Sequence, residues 1–82
     1  MDHRERASKD LIKLRRMMDI FTGLGFDTKY AAVFSYVKDY ASDAEHFFQS
    51  GDYFTSFGAA NYAYGFMDAI LVIEGKKDEH IL

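Results

Sequence analysis

The chain has 82 residues and a net charge of −3, with 49% hydrophobic and 17% aromatic residues and no cysteine, proline or tryptophan. The missing cysteines exclude a disulfide scaffold, a thiolate zinc site, an iron–sulfur cluster and a cysteine nucleophile. The apolar content excludes disorder of the whole chain, and the length allows one small domain.

Without proline, and with glycines placed as punctuation, the chain reads as mostly helix. In the first segment Ala7, Leu11, Leu14, Met18 and Phe21 alternate spacings of four and three, which keeps one helical face apolar over about residues 3–22. Gly23 is expected to end this helix in the left-handed conformation, with Leu24 making the accompanying contact. Asp27 then reads as a cap, and Phe26 as a staple against Ala31, for a second helix over 27–50. Its stripe is Tyr30, Phe34, Val37, Ala41, Ala44 and Phe48. Gly51 closes it, and Asp52 caps a third helix over 52–74 after a two-residue connection that makes the two antiparallel.

The third helix has no broad polar face. Tyr53, Phe57, Ala60, Tyr64, Met67 and Leu71 form one stripe, and Ala59, Ala63, Phe66, Ile70 and Ile73 form another. Such a helix is either buried on all sides or in a membrane. Asp68, the only charge between Tyr53 and Ile73, argues against the membrane, since a central aspartate costs ~3 kcal/mol on insertion scales. Burial against two partner helices, and against a second copy of the chain, is the better account. Residues 76–82 read as a loose polar tail. The expected fold is therefore all-α: one domain over 1–82, an up-and-down three-helix bundle. No basic stretch followed by an apolar one opens the chain, so a cytoplasmic location is expected.

Charge is unevenly placed. Met1–Arg16 holds six Lys/Arg against three acids, and Met17–Leu82 holds four against ten. Arg6, Lys9, Lys13, Arg15 and Arg16 gather opposite the Leu11/Leu14 stripe, where they are candidates for contacting phosphate groups. Aromatic residues interleaved as in single-strand binders are missing from that face. Asp39, Asp43 and His46 have metal-like spacing, but no second acid-x-x-His unit completes a helical carboxylate site, so a solvated face and no metal are expected. No phosphate-binding glycine loop, HExxH, GxSxG or dinucleotide fingerprint occurs, and no cofactor is implied.

Asp68 sits among aromatic neighbours, and burial would require a hydrogen-bond partner. Tyr40 and Tyr36 of the second helix are the expected donors. Gly58 and Gly65 share a face with Ala69, and glycine costs about 1 kcal/mol against alanine inside a helix. Close helix–helix approach is the expected reason. Fourteen Phe and Tyr exceed what one small bundle interior holds comfortably, which predicts an exposed aromatic patch.

From Tyr40 to Gly75 the chain reads Tyr40-x-x-Asp43-Ala44-x-x-x-Phe48, Gly51-Asp52, then Tyr62-Ala63-x-Gly65-x-x-Asp68-Ala69 and a closing Gly75. This resembles the archaeal domain-of-unknown-function family 357; the first helix resembles it only in its basic, helical character. The resemblance implies a small all-α three-helix up-and-down bundle with a left-handed twist in an archaeal cytoplasm, and no activity. Tyr40, Asp43, Asp52, Tyr62, Gly65 and Asp68 are the matching positions and the candidates for a site. A Gly-Asp-aromatic connector also resembles HEPN nucleotide-binding domains, but the arginine followed by histidine of the HEPN nucleases is absent. Two readings follow. One is a non-catalytic module that binds itself or another protein through the third helix. The other is a nucleotide- or RNA-binding accessory domain using the basic face of the first.

Overall fold

The computed structural model describes residues 2–77 as four helices: α1 (His3–Gly23), α2 (Phe26–Lys29), α3 (Ala31–Gln49) and α4 (Tyr53–Ile73). The all-helical class stands, but there are four elements and not three, because the segment expected as one helix over 27–50 breaks at Tyr30. The cause is local. Gly25, rather than Gly23, takes the left-handed conformation at φ 78° and stands as the cap of α2, which leaves Asp27 inside the first turn. Phe26 does not staple to Ala31. It is buried, edge-on to Phe21 at 5.6 Å between ring centroids and to Tyr30 at 5.8 Å. These aromatic contacts hold the corner and end the turn.

The longer helices have conventional ends. Asp2 accepts a hydrogen bond from the Glu5 amide at 2.8 Å, and Asp52 accepts one from Thr55 at 3.1 Å. At Gly51, φ is 86°; the Gly51 amide donates to the Phe48 carbonyl, and the Asp52 amide reaches back to Phe47. That pair of bonds satisfies carbonyls that α3 would otherwise leave open and reverses the chain in a few residues.

Side-chain contacts fix how the helices run. Arg6 lies over the Phe57 ring, Asp10 is bonded to Asn61, and Lys13 lies over Tyr64, so α1 and α4 are parallel neighbours. Tyr40 meets Tyr62 and Tyr36 meets Phe66, so α3 and α4 are antiparallel. α4 is the helix that packs closely on both others, whereas α1 and α3 approach each other far less. The core runs from Leu11, Leu14, Met17 and Phe21 on α1, through Ala60, Ala63, Met67 and Leu71 on α4, to Val37 and Ala44 on α3. Ser56, fully buried, donates to the Ala44 carbonyl at 2.7 Å.

Because α1 and α3 cover only two flanks of α4, it is not buried on all sides. Among the described residues no helix is long and apolar enough to cross a membrane. The expected tail over 76–82 lies mostly outside the described residues. Lys77 is not loose: it folds back to Asp68.

Candidate interaction face

The buried residues of α4 are Ser56, Ala60, Ala63, Met67, Ile70 and Leu71, on one side of the helix. The opposite arc carries Phe54, Gly58, Asn61, Tyr62, Gly65, Ala69, Val72 and Ile73, all exposed. Phe54 is 74% exposed, Val72 60% and Ile73 72%. No residue of this arc is charged. Solvent faces of small-domain helices ordinarily carry charge, and this one carries none.

Gly58 and Gly65 belong to this arc. A Cβ added at either would meet nothing within 4 Å. The expected close helix–helix approach is therefore absent from the chain, and the two glycines with Ala69 form a smooth strip facing outward.

Beside that strip, the neighbouring edge of α3 is bulky. Tyr36 is 58% exposed and stacks on Phe66 at 6.1 Å between centroids, nearly parallel at 19°. Tyr40 packs on Tyr62 at 4.6 Å, and Tyr62 meets Phe66 edge-on at 5.1 Å. Two shallow grooves follow the α3–α4 junction. One, of about 460 Å³, is lined by Val33, Tyr62, Gly65, Phe66 and Ala69 among others; the second, of about 430 Å³, by Tyr40, Asp43, Phe47, Phe54, Gly58 and Tyr62. Aromatic rings with one apolar face and one polar tip suit a surface that is wet before binding and dry after it. A third hollow of about 340 Å³ lies where the N-terminal ends of α1 and α4 meet. Asp2 there is occupied by its cap bond and Arg6 by Phe57.

The two flanks of the face differ in charge. On the α1 side stand Arg6 and Lys13, each over an aromatic ring of α4, at 4.8 and 4.6 Å from the ring centroid. On the α3 side stand Asp43 and, further out, Asp39, both exposed. Arg15 points the other way and pairs with Glu45 of α3, while Lys9 and Arg16 are exposed. The five basic residues of α1 are thus divided between two sides of the helix.

Asp68 is not a buried partner of Tyr36 or Tyr40. It is paired with Lys77, and its side chain keeps 32% of its exposure. Asp68 lies on the α1 side of α4, near Tyr64, whereas both tyrosines lie on the α3 side, so the helix itself separates them. The carboxylate raises the pKa of Lys77 through their hydrogen bond. Burial pushes the Tyr64 hydroxyl above its ordinary value.

A second polar cluster fastens the corner. Glu74 accepts hydrogen bonds from Lys29 at 2.7 Å and from the Tyr30 hydroxyl at 2.5 Å, which ties α2 and the break after it to the end of α4. The lysine, then the tyrosine, hold the Glu74 carboxyl below its usual range. The same hydrogen bonds raise Lys29 and Tyr30.

Of the motif positions singled out in the sequence, Tyr40, Asp43, Tyr62 and Gly65 lie along the α3–α4 grooves. Asp52 caps α4 and Asp68 holds the segment after it, so those two do not join the face. Asp39, Asp43 and His46 are exposed, and no group of three or more metal-ligating side chains converges among the described residues. Tyr36, Phe54 and Val72 face outward but lie outside the site candidates that the sequence offers. The readable signal was the charge-free arc of the third helix.

Residues 8–75 match the profile of the family described as protein of unknown function, DUF357. The chain belongs to that family. The matched span runs from the first turns of α1 to the end of α4 and so takes in almost the whole face with both its flanks. No curated protein and no solved structure matches the chain.

Proposed function

We propose that the chain is an interaction module, working by association through the outward arc of α4 and the aromatic edge of α3 rather than by catalysing a reaction. The observation that carries this reading is the solvent-facing arc from Phe54 to Ile73 without a single charge. Leaving it in water costs the molecule about 25 cal/mol per Å² of apolar surface that a partner would remove. Four of the six motif positions border the same surface.

The RNA-binding reading draws less support. Arg15 is paired with Glu45 on the far side of α1 from Arg6 and Lys13, so the five basic residues do not form one stripe. Phosphate binding gains from clustered cations, each releasing about one counterion.

Gel filtration of the 82-residue chain in lysate of its native cell tests the proposal. The wild type is expected in a complex heavier than 9.4 kDa, and Ala69→Arg, which places a charge in the middle of the arc, is expected at the monomer position. Elution of the wild type as a 9.4 kDa monomer contradicts the reading.

A further inference from the structure

We infer that the occupant of this face is a second copy of the chain, related by a two-fold axis that runs parallel to α4 over the α3–α4 junction. In that arrangement α3 of each chain lies on α4 of the other. The inference rests on reading the face as an interface, and it specifies the partner and the geometry.

The face is self-complementary in shape. Its α3 edge is a ridge of large side chains, with Tyr36 58% exposed. Its α4 strip is a furrow of Gly58, Gly65 and Ala69 with open space above the glycines. An isologous interface must fit its own image. An axis along the helices sets ridge on furrow in both halves at once. An axis across the helices sets ridge on ridge and furrow on furrow, leaving a gap over the glycines.

Heights along the helices agree as well, because an axis parallel to α4 leaves height unchanged. Tyr36 is level with Phe66 of its own chain, so it reaches the level of Gly65 of the second copy. Each α4 then has antiparallel α3 neighbours on both sides, one from its own chain and one from the other. That is the arrangement of an up-and-down four-helix bundle.

Charge selects the same axis. It brings the α1 flank of one chain, with Arg6, Lys9 and Lys13, alongside the outer edge of α3 of the other, with Asp39 and Asp43. Arg6 is level with Phe57 and Lys13 with Tyr64. Tyr40 is level with Tyr62, which places Asp43 level with Ala59 and Asp39 with Ala63. Arg6 therefore meets Asp43, and Lys13 meets Asp39, within about 3 Å along the axis at 1.5 Å per residue. The crosswise axis lays the acidic edge of α3, with Asp39 and Asp43, along the same edge of its copy instead, and like charges in an interface are unfavourable.

The size is of the right order too. Two helices of 19 and 21 residues lying side by side present a face of roughly 30 by 20 Å, against about 800 Å² per partner in a standard interface.

Sedimentation equilibrium of the purified 82-residue chain, at micromolar concentrations, tests the inference. The expected mass is twice 9.4 kDa. Asp43→Lys and Arg6→Glu, each counted twice in a two-fold interface, should each raise the dimer Kd by about tenfold. The double variant should return it to within about threefold of the wild type, with Asp43→Lys leaving the thermal melting of the dilute protein unchanged and Arg6→Glu melting like the double variant. A purified monomer beside an intact complex in lysate overturns the second copy and leaves the interaction face standing. A dimer indifferent to both reversals, or one the double variant does not rescue, overturns the axis.

Discussion

α1 and α4 are equally long, 21 residues each, and run side by side in the same direction, yet their outer faces are opposites. Outside its buried stripe α1 carries Arg6, Lys9, Lys13, Arg15, Arg16 and Asp19, with Ile12 as an exposed large apolar residue. The outer arc of α4 carries aromatic, aliphatic and small residues and no charge. Both helices contribute comparable stripes to the same core. The core therefore does not account for what α4 shows to solvent. A helix whose apolar residues exceed what its own chain buries has surface left for another molecule.

Neighbouring residues on α4 separate the two roles most sharply. Leu71 is fully buried, and Val72 beside it is 60% exposed. Leu71→Ala is expected to cost about 2–5 kcal/mol of folding stability, as removing a core leucine leaves a cavity. Val72→Ser should change the stability of the dilute monomer by no more than about 0.5 kcal/mol. Urea denaturation of both variants checks the contrast, and equal losses would abolish it.

Ser56 probes the seam between α3 and α4. Its hydroxyl bond to the Ala44 carbonyl has no exposed equivalent, and Ser56→Ala should cost about 1 kcal/mol. Gly58→Ala should have the opposite sign. The site is helical, has open space for a Cβ and no positive φ, so the dilute protein should gain about 0.5–1 kcal/mol. A loss at Gly58 in a dilute melt would mean that its face packs against something within the chain.

The smallest expected effect is on pH dependence at the corner. Because Glu74 is held below its ordinary value of 4.5, its contribution to stability is present above that range and fades as pH falls through the lowered pKa. Lys29 and Tyr30 are raised above 10.5 and 10.0, so theirs is present below those values and fades as pH rises past them. The cluster supports folding on a plateau between the two. Glu74→Gln should flatten the acid limb of a stability–pH curve while leaving neutral-pH association intact. An unchanged acid limb would remove the cluster from the account.

Much of the fold was legible in the sequence, because four-and-three spacing on α1 and α3 reports a core stripe directly. The break at Tyr30 was not. It depends on Phe26 meeting Phe21 and Tyr30 in space, and on which of two nearby glycines takes the positive φ. On α4, periodicity failed for a different reason. When both the buried and the outward arcs are apolar, no contrast remains to tell them apart, and by sequence Gly58 and Gly65 resemble packing residues. Asp68 was misassigned because its partner, Lys77, lies beyond the helix, where helical geometry carries no information. The motif positions around Tyr40, Asp43, Tyr62 and Gly65 were legible individually. Their convergence required knowing which side of α4 faces α3.

The central claim is that the outer arc of α4, unlike that of α1, is an interface between two copies of the chain. A dilution series followed by NMR amide chemical shifts tests it residue by residue. The account predicts concentration-dependent shifts at Gly58, Gly65 and Ala69 and at Tyr36 and Tyr40 of α3, with Arg16 and Asp19 on the outer side of α1 unmoved. Amides of the α4 arc that stay fixed across the accessible concentration range, or that move no more than those of outer α1, would contradict it.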